Sequence, residues 1–144
     1  MEVITLPASY TRTPNTHTHH RRDQSYYNRY KRDPVANAFY QSQVWEHMAA
    51  RVKAESYNTC AICGHTYDQP GKLITDHIVP LRVDKRKRLD RDNLWCICQQ
   101  DHYWKTKLEN KVYQSESLIE NLDTAKRWGA NECKKWVLEH KRRM

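Results

Sequence analysis

Between Cys60 and Thr106 the chain sets thiols, an acid, an amide and two imidazoles in close order. The stretch runs Cys60-Ala61-Ile62-Cys63-Gly64, then Leu73-Ile74-Thr75-Asp76-His77-Ile78-Val79-Pro80, then Asp92-Asn93-Leu94-Trp95-Cys96-Ile97-Cys98, and ends on Asp101-His102 and Lys105-Thr106. An imidazole can take a proton near neutral pH. A carboxylate can hold a hard divalent cation while leaving positions on it open to substrate and water. Asp76 and His77 are neighbours, and neighbours on a strand point to opposite sides. One can therefore hold a cation while the other faces a water. Cys60 and Cys63 supply half of a tetrahedral zinc site. Cys98-x-x-Asp101 offers a second half, since three residues of advance across a strand-to-helix junction bring the second side chain back toward the first. On spacing, the zinc set is Cys60, Cys63, Cys98 and Asp101. Cys96 is a rival for the fourth position, and a site without zinc remains an alternative. A redox role for Cys60-x-x-Cys63 lacks the surrounding βαβ pattern it requires.

These residues need elements to position them. Val44, Trp45, Met48 and Val52 recur at helical spacing behind Ser42, a suitable N-cap. Cys60 to Gly64 reads as a tight knuckle and Pro70-Gly71 as a turn. Leu73 to His77 reads as a strand. Arg82 to Arg91 is a connector carrying Arg82, Lys85, Arg86, Lys87, Arg88 and Arg91 against Asp84 and Asp90. Leu94 to Cys98 is a second strand, and Asp101 starts a helix that runs past Lys107. Beyond Val112, Ser117-x-x-Glu120 forms a capping box ahead of Leu118, Ile119, Leu122 and Ala125. Gly129 breaks that pattern. Cys133, Trp136, Val137 and His140 then share one face of a last helix, where Cys133 is a small core residue.

The order thiol pair, Asp76-His77, Asn93, Cys98, His102 resembles the His-Asn-His (HNH) endonuclease family, with Asp101 as a departure from its usual thiol or imidazole. The resemblance implies an α+β fold with a ββα-metal (His-Me finger) core, a structural zinc site and flanking helices. It implies metal-dependent hydrolysis of DNA phosphodiester bonds, leaving a 5′-phosphate and a 3′-hydroxyl. By resemblance His77 is the general base, and Asp76 and His102 hold the catalytic divalent ion (Mg²⁺, with Mn²⁺ or Ni²⁺ as alternatives). Asn93 braces the loop and orients the base. The family's strands and connector lie against the minor groove, so Arg82, Lys85, Arg86, Lys87 and Arg88 become candidate phosphate contacts. Lys105, one turn after His102, is another. Phe39-Tyr40-x-Ser42-x-x-Trp45 ahead of the knuckle is similar to phage HNH proteins that act in DNA packaging, which implies terminase subunits as partners. Two other readings stay open: a non-catalytic zinc-stapled DNA-binding module, and a restriction-type HNH nuclease. The first would need none of Asp76, His77, Asn93 and His102.

The whole chain fits such a role. Its 144 residues are 38% hydrophobic and 29% charged, with a single Phe and a net charge of +8. So small an apolar share buries little core, and a metal staple would help it fold. The charge favours a polyanionic partner. Five cysteines without a secretory pattern point to a reducing compartment, the cytoplasm of a bacterial host if the chain is phage-encoded. No apolar run approaches a membrane span. The expected division is a disordered basic arm (1–37), a nuclease domain (38–112) and a helical C-terminal extension (113–144). In the arm, Arg21, Arg22, Arg29, Lys31 and Arg32 alternate with Tyr26, Tyr27 and Tyr30, a pattern able to touch phosphates and stack on bases. His17, His19 and His20 are read as incidental tail residues.

Overall fold

The computed structural model describes residues 33–143. The arm's named Arg, Lys, Tyr and His residues therefore lie outside the described part. Helix α1 (Pro34–Tyr40) begins inside the segment expected to be arm. Proline suits a first helical turn, and Asp33 Oδ1 accepts from the Ala36 amide at 3.0 Å. The described residues from Tyr40 on form one compact unit, which carries all that follows.

Helix α2 (Gln43–Glu55) starts at Ser42, whose side chain accepts from the Trp45 amide at 3.2 Å. Trp45 and Val52 are buried on its inner face, but Val44 is 58% exposed. At 100° per residue, Val44 falls on the fringe of a face centred on Trp45, Ala49 and Val52. Tyr57 and Asn58 then leave the helix with positive φ, and the knuckle follows. Gly64 closes it at φ +79°, a conformation that favours glycine, with its amide on the Cys60 carbonyl.

Strands β1 (Leu73–His77) and β2 (Leu94–Cys98) pair antiparallel, with Leu73 opposite Cys98 and Asp76 opposite Trp95. Helices α2 and α3 (Gln99–Val112) both pack on this sheet. Thr75 Oγ1 donates to the Ala49 carbonyl of α2 at 2.9 Å. Strand alternation therefore turns His77 toward α2 and Asp76 toward α3. Helix α3 begins at Gln99, two residues earlier than the sequence reading, because extended Cys98 feeds straight into it. Asp101 thus lies within its first turn.

Helix α4 (Leu118–Arg127) is capped by Ser117, which accepts from the Glu120 amide. The return half of the capping box runs through Ser115: its hydroxyl donates to Glu120 Oε1 and accepts from the Ser117 amide. Leu122 and Ala125 pack on Val79, Val83 and Tyr113, while Leu118 and Ile119 face outward. Helix α5 (Ala130–Arg142) lies along α3 and buries Cys133 and Val137. Among the described residues no helix is long and apolar enough to cross a membrane.

Candidate active site and metal centre

The knuckle, the end of β2 and the first turn of α3 bring four ligand atoms together. Those of Cys60, Cys63, Cys98 and Asp101 all lie within 4.8 Å of one another. Three amides, of Ile62, Cys63 and Cys98, donate to Cys60 Sγ at 3.3–3.5 Å. Such a cradle suits a thiolate, and three thiols with a carboxylate at this separation suit a tetrahedral cation. The donor set therefore fits a bound metal. Burial pushes the Cys60 thiol up, so without a cation it keeps its proton. Cys96, the rival, is fully buried but is not part of the cluster. It pairs across the sheet with Thr75, the residue bonded to α2.

Asp76 and His102 meet on the α3 side, with His102 Nε2 3.6 Å from Asp76 Oδ1. The other carboxylate oxygen is held by Trp95 Nε1 at 3.0 Å and by Lys105 Nζ at 3.1 Å. Asp76 thus offers one oxygen beside an imidazole nitrogen, a small donor set that suits a hard cation keeping most of its other positions for water and substrate. The His102 side chain is 37% exposed, which opens this pair to solvent.

His77 faces the other way. It stacks on Trp45 with ring centroids 4.9 Å apart and meets the edge of Tyr40. Its Nε2 lies 3.0 Å from the Arg88 carbonyl and its Nδ1 3.3 Å from the Tyr40 hydroxyl. A carbonyl only accepts, so Nε2 carries the hydrogen and Nδ1 the lone pair. Burial lowers the pKa of His77 from its ordinary 6.5, against the raising pull of the Arg88 carbonyl and Asp76. Asn93 joins both ends of the connector. Its Oδ1 accepts from the Val79 amide at 2.8 Å, its Nδ2 donates to the Val79 carbonyl at 3.1 Å, and its own carbonyl accepts from Ile78.

Lys105 departs from its expected place at a phosphate. It is fully buried, donates to the His77 carbonyl at 2.9 Å, and sits between Asp76 and Glu109. Burial opposes its charge, but the two carboxylates outweigh burial and raise its pKa. The helical offset from His102 that suggested a surface cation instead points Lys105 at the strand beneath. Arg82, Lys85, Arg86, Lys87 and Arg88 are exposed, though not equivalent. Arg86 lies on Asp84 through two hydrogen bonds, Arg82 donates to the carbonyls of Tyr113 and Glu109, and Arg88 donates to that of Lys85. Lys85 and Lys87 are exposed.

The sequence reading did not find Tyr40 and Trp45 as partners of His77, nor Trp95 and Lys105 as partners of Asp76. Each contact joins residues too far apart in sequence for a local pattern to reveal. The HNH endonuclease family model matches residues 60–108. No curated protein matches the chain. Among solved structures, it is similar to the HNH endonuclease of the deep-sea thermophilic bacteriophage GVE2, crystallised with a manganese ion. The two are 38% identical, over 60% of this chain and 95% of that one, with a TM-score of 0.51. With a relative this similar matched over nearly its whole length, the chain belongs to the HNH endonuclease family.

Proposed function

We propose that this endonuclease hydrolyses DNA phosphodiester bonds with His77 as general base and one divalent cation held by Asp76 and His102. The observation that carries the reading is the approach of His102 Nε2 to Asp76 Oδ1, from residues on different elements. A divalent cation bound there supplies charge neutralisation at the phosphoryl oxygens and the departing oxygen. The chain's own residues do the rest. Trp95 and Lys105 hold one oxygen of Asp76 and leave the other for the cation. The Arg88 carbonyl fixes His77 with its lone pair on Nδ1, and burial keeps the ring neutral near pH 7 so that it can accept the water's proton. His77 is only 4% exposed, so water reaches Nδ1 past or through the Tyr40 hydroxyl. Asn93 fixes the connector that supplies the Arg88 carbonyl.

In the same reading Cys60, Cys63, Cys98 and Asp101 hold a structural zinc ion. The catalytic ion is Mg²⁺, with Mn²⁺ supported by the phage relative and Ni²⁺ as a further alternative. Arg82, Lys85, Arg86, Lys87 and Arg88 meet DNA phosphates. Residues 1–37 form a basic arm, 38–112 the nuclease domain and 113–144 a helical extension. The relative's phage origin supports action on phage DNA in the bacterial cytoplasm. The Phe39-Tyr40-x-Ser42-x-x-Trp45 resemblance supports packaging beside a terminase. A terminase that neither binds the chain nor alters its cleavage would remove that last part.

The test is Mn²⁺ titration of zinc-loaded protein by calorimetry. Asp76→Ala and His102→Ala should each weaken Mn²⁺ binding, and higher Mn²⁺ should recover part of their activity. Wild-type affinity in both variants would contradict the ligand assignment.

A further inference from the structure

The two oxygens of Asp101 face different partners. Cys60 Sγ lies 3.1 Å from Oδ2, on the sulfur side, and Lys141 Nζ lies 2.5 Å from Oδ1. Asp101 is fully buried, and the Lys141 side chain is only 19% exposed. Lys141 comes from α5, forty positions further along the chain and outside the residues 60–108 that match the family model. Three thiolates and a carboxylate around a divalent cation sum to a charge of −2, and the part-buried Lys141 ammonium removes one unit of that excess.

We propose that Lys141 is a positioning residue of the cysteine metal centre, holding Asp101 as a one-oxygen ligand and balancing its charge, so that the last helix is part of the centre. This rests on the reading of Cys60, Cys63, Cys98 and Asp101 as the ligand set. With Oδ1 engaged by the ammonium, Oδ2 is the oxygen turned toward the thiols, which favours ligation through that one oxygen. The departure at Asp101 and the placement of Lys141 then explain each other: a carboxylate has a second oxygen to be restrained, whereas a thiolate has none. Partners outside the ligands commonly tune metal affinity by about 10–100-fold.

Co²⁺ is the probe, bound to the full chain and competed with a chelator, with the visible d–d bands recorded. Lys141→Met should weaken Co²⁺ by about 10–100-fold. It should also weaken the bands, because the freed Oδ1 can raise the coordination number. Lys141→Arg should keep most of the affinity and the bands. Val137→Ala, buried in α5 one turn before Lys141 but not among the residues of the cluster, should lower the melting temperature and leave both readouts unchanged. Where Lys141→Met does not fold, Lys141→Gln replaces it, keeping a donor without the charge. Wild-type affinity and bands in Lys141→Met, beside their loss in Asp101→Ala, would overturn the proposal alone. Equal losses in Val137→Ala and Lys141→Met would overturn it too, by reducing it to helix docking. Wild-type affinity in Asp101→Ala would instead remove the ligand reading beneath it.

Discussion

His77 and Lys105 show how much the neighbours decide at the scale of one residue. A histidine on a strand end has an ordinary pKa near 6.5, and its burial against Trp45 lowers it. In the proposed mechanism the base form is active, so cleavage is present above the folded pKa and is lost as pH falls through it. The acid limb of kcat/KM should therefore lie below 6.5, and a bound cation nearby pushes it the same way. A limb above that value would contradict the burial argument. Lys105 is a charge enclosed by protein, with Asp76 and Glu109 as its counter-ions. Lys105→Met fills the space but leaves the buried Asp76 and the part-buried Glu109 carboxylates without their shared counter-ion. Breaking a buried pair in this way typically costs about 3–5 kcal/mol, a large share of the roughly 5–15 kcal/mol that holds a domain together. Urea unfolding should show that loss, and a cost under about 1 kcal/mol would mean water screens the cluster.

Elements were legible where the signal is local. Ser42 and Ser117 cap the helices they were expected to cap, and the two short stretches read as strands, Leu73–His77 and Leu94–Cys98, are strands. The knuckle and its thiols followed from spacing. Val44 turned outward because a run of apolar residues does not say which of them centres the buried face. Lys105 and Lys141 were illegible because their partners, Asp76 and Asp101, lie on other elements. For the connector, the sequence could list cations but not their engagements. Arg86 is answered by Asp84, whereas Lys85 and Lys87 are exposed. Replacing Lys85 and Lys87 by Gln should reduce the slope of log affinity for DNA against log salt by about 0.9 per lost phosphate contact. Arg86→Gln should change it less, because Asp84 already balances the Arg86 charge. An unchanged slope in the double variant would make the connector solvated surface.

At the scale of the molecule, a chain with a 38% apolar share relies on few large buried side chains, among them Val52, Ile97, Leu108 and Val137. Each contributes about 1.5–3 kcal/mol on burial, and structural zinc can supply folding free energy on a larger scale. Stripping metal with a chelator should therefore unfold the nuclease domain, read by circular dichroism, and returning Zn²⁺ should restore it. A chelator-treated chain that keeps its native melting curve would show that the clasp is not needed. The central claim is narrower: His77 acts with a divalent cation at Asp76 and His102. Plasmid cleavage tests it most directly, with zinc-loaded wild type and His77→Gln, each in Mg²⁺, in Mn²⁺, and after removal of the added cation by dialysis. The account predicts cleavage by wild type only with the cation, and a loss of about 10²–10⁴-fold in His77→Gln with its melting curve near that of wild type. Cleavage by His77→Gln at the wild-type rate, or by wild type without the cation, would contradict it.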